Sequence, residues 1–421
     1  MYSPLVDFSR LVMAAAAAAS FFAVVPAVGQ VYYPIEDLRM DGAVAEGSMV
    51  IEGQTNAMIV RRDELAGDER SRGWDLGLVL GAAYDDNIFL SADDARSDFV
   101  IRVGPSVEAF SGNPEARDGG FYRVAYRPTG VIYTGGEGDD RIDQDVAWAV
   151  GWRRAKAGVG YRGGWKKLGD ATADTGRETD RTEWEHVVQV AWSPSEKMTY
   201  EISAGRGETD YDDDVFIDSA ESHVEAALRY SYSPKTELSM AFRASRLELD
   251  GSSDQDVKRL TAGMSWQPRQ KVRVKVEAGA EWRSYENGSD VTPVVEARVD
   301  WEPKEGTNLF LTGYHREETS AFFAGQNYQT TGASAGVSQR LGDRWRASLE
   351  GGVESVSYRQ VSGAGAADRD DRLWFIRPAL QYRLSDDLGL EFFYRAASSD
   401  SSQNGFGYDQ NTTGVRLDYQ F

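Results

Sequence analysis

The chain has no cysteine, only three histidines and only 12 prolines in 421 residues. Without cysteine there is no disulfide framework, thiolate metal site or thiol nucleophile. Basic residues are in deficit, 46 against 67 acidic ones, for a formal charge of −21. Nonspecific nucleic-acid binding needs a basic surface, so nucleic acid is excluded as a partner. Past the N-terminus no apolar run reaches the length of a membrane-spanning helix. That does not exclude strands, because in a barrel only alternate residues face lipid.

Glycine (43 residues) and aromatics (11%) are plentiful, a mix that suits strands and turns. At the N-terminus, Arg10 precedes an Ala-rich apolar stretch over residues 11–25. Pro26, Ala27, Val28 and Gly29 follow. This pattern predicts a secretory signal peptide over 1–29, cleaved after Gly29, in preference to an uncleaved anchor. Residues 30–72, with RRDELAGDERSRG near their end, read as a partly disordered periplasmic extension.

From Trp74 to Phe421 the dominant signal has period two. Trp74, Leu76, Leu78, Leu80, Ala82 and Tyr84 share one parity, as do Val272, Val274, Val276, Ala278, Ala280 and Trp282. Successive strand side chains point to opposite faces, so each segment carries one apolar and one polar face. An aromatic-polar-Pro turn recurs at Trp192–Pro194, Tyr232–Pro234, Trp266–Pro268 and Trp301–Pro303, and its spacing marks a repeated hairpin. Longer acidic, Gly-rich connections lie between these turns. Alternation of short turns with long loops is the asymmetry of an outer-membrane barrel.

Segments start near 74, 98, 121, 144, 157, 183, 198, 220, 238, 258, 272, 292, 308, 328, 345, 372, 388 and 411. They predict an all-β fold, an antiparallel up-and-down transmembrane barrel of 18 strands over 73–421. Sixteen is the alternative, since the register from Asn308 to Arg316 is ambiguous. An even count with short periplasmic turns places both termini in the periplasm. Barrels of this size can hold an aqueous channel.

On the polar parity, Arg102, Glu108, Arg123, Arg127, Glu225, Arg229, Arg243, Arg273, Lys275, Glu277, Glu296, Arg298, Arg346, Glu350, Arg395 and Arg416 are candidate lumen-lining residues. Their mixed signs predict weak ion selectivity. Trp152, Trp192, Tyr232, Trp266, Trp301 and Tyr382 form a candidate periplasmic aromatic girdle, where rings sit half in lipid and half in water. Tyr419 and the terminal Phe421 close the last alternating strand, an ending that resembles the signal read by barrel-assembly machinery.

No metal site or cofactor is expected. Asp85, Asp86, Asp212, Asp213 and Asp214 are weak cation candidates, read first as loop-turning or solvated acids. His186, His223 and His315 form no nucleophile–base constellation, and His186 falls on the lipid parity, so no catalysis is expected. The apolar loop piece Ala321, Phe322 and Phe323 suits either a constriction or a contact surface.

Tyr84-Asp-Asp-Asn-Ile-Phe89 and the strand Ser97-Asp-Phe-Val-Ile-Arg-Val-Gly-Pro-Ser106 resemble the β-barrel porin type 2 family, over about residues 75–110. The resemblance implies a porin-like barrel associated with exopolysaccharide or capsule loci, and supplies no site residues. Passage or export of polysaccharide ranks first on that ground. A general small-solute porin, or a closed adhesion barrel binding through its loops, is the alternative. Expected partners are outer-membrane lipid and lipopolysaccharide, the assembly machinery, and with the first reading polysaccharide and periplasmic export components.

Overall fold

The computed structural model describes residues 72–113, 118–172, 177–286, 288–323, 325–361 and 368–421. The expected signal peptide and all but the last residue of the expected extension therefore lie outside the described residues.

Eighteen strands close into one antiparallel barrel. The first third holds β1 (Arg72–Asp85), β2 (Asp98–Ser111), β3, β4 (Arg141–Arg154), β5 (Ala157–Leu168) and β6 (Arg181–Ser195). Strand β3 comes in two pieces, Asp118–Tyr126 and Thr129–Tyr133. Pro128 lies at the break, where it cannot donate to the ladder. The Arg127 N–H still donates to the Asp145 carbonyl at 2.8 Å, which keeps the strand in register. Next come β7 (Met198–Tyr211), β8 (Ser219–Ser233), β9 (Thr236–Leu249), β10 (Gln255–Arg269), β11 (Val272–Tyr285) and β12 (Gly288–Lys304). The last six are β13 (Thr307–Thr319), β14 (Gln326–Leu341), β15 (Trp345–Gln360), β16 (Arg369–Arg383), β17 (Leu388–Ser401) and β18 (Tyr408–Gln420).

Each strand pairs with its sequence neighbour, and β18 pairs back to β1, with Gly77 opposite Gln420 and Ala82 opposite Val415. Closure leaves no sheet edge, which is what strands need in order to cross hydrocarbon. The ambiguity at the thirteenth strand resolves into continuous pairing of β13 with both β12 and β14. Each strand begins within a few residues of its expected start.

Tight turns at 155–156, 196–197, 234–235, 270–271 and 305–306 mark one rim. Gly306 and Gly342 turn there with φ near +76° and +77°, a backbone region that glycine enters without a Cβ clash. Longer connections mark the other rim, with described residues 86–97, 134–140, 169–172, 177–180, 212–218, 320–323, 325 and 402–407. One connection there departs from the expected asymmetry. Strands β11 and β12 stay paired up to Tyr285 opposite Gly288, so this connection is short.

The outer face is apolar and exposed along most of the barrel. Leu76, Leu80, Val188, Ile202, Met240, Phe242, Leu260 and Leu311 all present more than a third of their surface outward. In water such a belt would be an aggregation hazard; in a bilayer it is the lipid contact. Two apolar clusters lie inside instead, both toward the long-loop rim. One is Val100, Val131 and Tyr133 with Ile88 against it. The other is Leu90, Tyr328, Val356, Tyr358, Leu373, Phe375, Ala397 and Tyr408 with Ala171 against it.

Candidate functional site: the lumen and its mouth

The inner wall is built by the strand parity opposite the lipid belt, and the residue types alternate accordingly. Glu108 meets Arg123 at 2.7 Å, Asp145 meets Arg127 at 3.4 Å, Glu201 meets Arg229 at 3.0 Å and Glu221 meets Arg243 at 3.0 Å. Arg298 pairs with Asp300 and Arg416 with Asp418, each at 2.8 Å. Glu225, Glu277, Glu296, Arg346 and Glu350 share this inward parity. All sixteen candidate lumen residues thus stand opposite the exposed apolar row, and several are joined to carboxylates across or along strands.

Accessibility along this wall is graded. Arg123, Arg273, Lys275, Glu296 and Arg298 remain solvent-exposed toward the short-turn half. Toward the long-loop half the inward side chains are buried. There Arg283 donates to Glu281 at 2.5 Å, to Gln255 at 3.2 Å and to the Glu317 carbonyl at 2.6 Å. Gln255 and Asn327 are hydrogen-bonded at 2.9 Å, and Asn327 donates to Glu317 at 3.0 Å. On the opposite side Arg181 donates to Glu183 and Asp170, each at 2.8 Å. A carboxylate paired to a guanidinium and closed off by amides satisfies buried charge that would otherwise be costly.

The loops at this rim touch one another. The Ile217 N–H donates to the Ala321 carbonyl at 2.8 Å, joining loop 212–218 to loop 320–325. Phe216 packs on Phe322 at 6.0 Å between ring centroids, and Phe322 and Phe323 each lie 5.8 Å from Phe406 of loop 402–407. Three loops from well-separated hairpins therefore meet through aromatic rings. The Ala321–Phe323 piece is thus in contact with two other loops of the same rim. Ala171, from the connection between β5 and β6, packs against the inner cluster that holds Leu90, Tyr328 and Tyr408.

Among the cation candidates, Asp85 is buried and accepts hydrogen bonds from the Asn87 N–H, Gln410 and Thr412. Asp86 accepts from Asn411. Asp213 caps the Val215 N–H, and Asp212 faces Lys167 at 3.7 Å. Asp214 is exposed in the same loop. Among the described residues no group of three or more His, Asp or Glu converges. In the loop between β5 and β6, burial raises the carboxyl of Glu178, opposed by its ion pair with Arg141.

The girdle residues Trp152, Trp192, Tyr232, Trp266 and Trp301 are exposed on the outer face beside the tight turns. Tyr382 is partly covered there by Trp345, at 4.5 Å between rings. Tyr419 and Phe421 are outward and packed edge to face at 4.6 Å. His186 lies on the outer face, bonded to Tyr161 at 2.8 Å and stacked on Trp184.

Sequence reasoning missed one feature of the outer face. Arg206, Glu208, Arg246 and Glu248 carry the lipid parity of β7 and β9, yet they are charged and linked, with Arg206 bonded to Glu208 at 2.5 Å and 3.4 Å from Glu248. They lie in the last strand turns before the long loops, level with His186 and Trp184, where the belt gives way to polar surroundings. The signal was present as charge interrupting the apolar row of each strand near its loop end.

The family described as Putative beta-barrel porin 2 matches residues 291–421. Over that span the chain is similar to a porin family, and its fold is a closed 18-stranded antiparallel barrel with an apolar outer belt. The matched span covers β13–β18 and most of β12, whereas the Tyr84–Ser106 resemblance lies outside it. No curated protein matches the chain in sequence. Among solved structures, the chain is similar to the outer membrane protein opdK from Pseudomonas aeruginosa, at 12% identity over 83% of this chain and 99% of that one (TM-score 0.45). OccAB4 of Acinetobacter baumannii gives 10% identity over 84% and 99% (TM-score 0.46). A structure titled "Copper transporter OprC" gives 11% over 83% and 81% (TM-score 0.44).

Proposed function

We propose that the barrel is a passive porin for small polar solutes. The reading rests mainly on the graded inner wall, a water-accessible, mixed-charge half that narrows into a loop-lined constriction. Water and ions would pass along polar groups that are already paired, so a solute can exchange hydration for wall contacts without stranding a buried charge. Mixed signs along the wall support weak overall ion selectivity.

The aromatic meeting of loops 212–218, 320–325 and 402–407 favours small solutes over polysaccharide, the reading that ranked first on family resemblance. A polymer would have to displace the Phe216, Phe322 and Phe406 contacts along its whole length of passage. The same contacts are what a closed, loop-binding barrel would use, so the second reading is a barrel without stable conductance.

Liposome swelling separates these readings. Folded protein in liposomes is challenged with arabinose, glucose and a long glucan oligosaccharide at equal osmolarity. Swelling with the monosaccharides and exclusion of the oligosaccharide supports the small-solute porin. Equal entry of the oligosaccharide favours polymer passage, and no swelling at all favours the closed barrel.

A further inference from the structure

Several charged groups inside the barrel have counter-charges at hydrogen-bond distance. Arg102 and Arg395 do not. Arg395, on β17, is 3% exposed, and only its Nη1 is used, donating to the Gln410 Oε1 at 2.8 Å. Its Nε and Nη2 are buried and find no acceptor. Arg102, on β2, makes no ion pair or hydrogen bond among the described residues. The two side chains line one cavity, together with Asp85, Tyr133, Arg141 and Gln410. The nearest acids are otherwise engaged. Asp85 accepts from Gln410 at 2.9 Å and from Thr412 at 3.1 Å, and Arg141 takes Asp143 at 3.0 Å as well as Glu178.

An unmade guanidinium hydrogen bond in a buried site costs free energy, so a chain retains one where something else accepts it. The cavity volume of about 40 Å³ limits what that is. A single water needs roughly 10–15 Å³ by the same measure, so a few water-sized atoms fit and a sugar ring does not. Planar guanidinium forks match the oxygens of a carboxylate or phosphate group.

We infer that Arg102 and Arg395 form an anion-binding subsite just inside the long-loop mouth, sized for one carboxylate or phosphate group of a small solute. The subsite deepens the porin reading and rests on it for its meaning. A solute bearing such a group would be held at the narrowing by its anionic end, while the remainder stays in the wider half.

The test is calorimetric titration of the folded, detergent-solubilised full chain with sodium acetate, sodium phosphate and glucose at constant ionic strength. Saturable binding of acetate or phosphate and none of glucose is expected. The tighter of the two anions identifies the group, carboxylate or phosphate. Arg395→Gln and Arg102→Gln are each expected to weaken that binding at least tenfold. Folding of each variant is checked by the heat-dependent shift in electrophoretic mobility. Should a glutamine variant fail to fold, Arg395→Lys keeps the charge but loses the fork and is expected to weaken binding several-fold. Absence of saturable anion binding by the wild-type chain overturns the inference, as does binding that survives every folded variant unchanged. Channel activity is read separately. Anion binding without conductance keeps the subsite and removes the porin, and conductance without anion binding does the reverse.

Discussion

The Arg369 guanidinium lies 4.0 Å from the ring centroid of Phe406 and 4.1 Å from that of Tyr358, so a strand arginine is clamped between a wall ring and a loop ring. Arg369 also donates to Asp371 at 2.8 Å and to the Tyr358 hydroxyl at 3.1 Å, which fixes it to the wall. Phe406 is the member that can leave. A desolvated cation–π contact is worth about 1–2 kcal/mol. Phe406→Ala should therefore raise the ratio of open to constricted mouth by roughly tenfold. Single-channel recording should show larger or longer openings, with thermal stability almost unchanged because the strand ladder is untouched. A variant indistinguishable from wild type would show that the Phe406 contact does not constrict the path.

The outer belt makes a parity prediction. Ile202 faces out between Val190 and Ala226, whereas the next residue, Ser203, faces in between Gln189 and Glu225. Ile202→Arg puts a charge near the middle of the lipid face and should destabilise the barrel by about 2–4 kcal/mol. Ser203→Arg gains Glu225 as a partner and should cost far less. Urea unfolding in lipid vesicles, followed by tryptophan fluorescence, compares the two. Equal cost for both substitutions would contradict the assignment of faces.

Barrel segments were legible because alternation carries them. Val272–Trp282 and Thr413–Phe421 announce a strand, a face and a limit without any tertiary knowledge. The mouth was not legible, because nothing local says that Phe216, Phe322 and Phe406 meet. They come from loops far apart in sequence, and their contact is a consequence of closure. The Arg102 and Arg395 pairing is of the same kind. Each reads as one more inward arginine, and only the arrangement of β17, β18, β1 and β2 puts both on one cavity while Asp85 is occupied by Gln410 and Thr412. The charges of Arg206 and Glu248 were visible but broke the expected parity, since alternation says which face a residue takes and not how far the hydrocarbon extends.

Closure makes a prediction at the C-terminus. The Phe421 N–H donates to the Leu76 carbonyl at 2.9 Å, and its ring packs on Tyr419. Phe421→Ala keeps the backbone bond and loses only the ring, so the stability of protein refolded in detergent should barely move. If assembly machinery reads the ring, the amount reaching the outer membrane in cells should fall several-fold. A matched fall in refolded stability would instead make the ring a packing element.

Glu178 supplies a pH prediction. Burial in the loop between β5 and β6 raises its carboxyl above the usual glutamate range, while Arg141 acts the other way. An acid raised on folding is the protonated form's gain, so this contribution is present at low pH and is lost as pH climbs past the unfolded value. As pH falls through the raised range, Glu178 loses its charge before ordinary glutamates do, and the mouth becomes less negative. Reversal potentials in a salt gradient should shift toward anions as the pH is lowered, beginning above the range of an ordinary glutamate, and Glu178→Gln should show the shifted value already at pH 7. No difference between that variant and wild type at pH 7 would remove Glu178 from the ion path.

On the proposed reading the inner wall carries solvent from one rim to the meeting of the loops and through it. Conductance of the folded wild-type chain in a planar bilayer tests it most directly. Stepwise, voltage-tolerant openings are the predicted result, enlarged by Phe406→Ala. A protein that inserts and stays electrically silent, with and without Phe406, would contradict it.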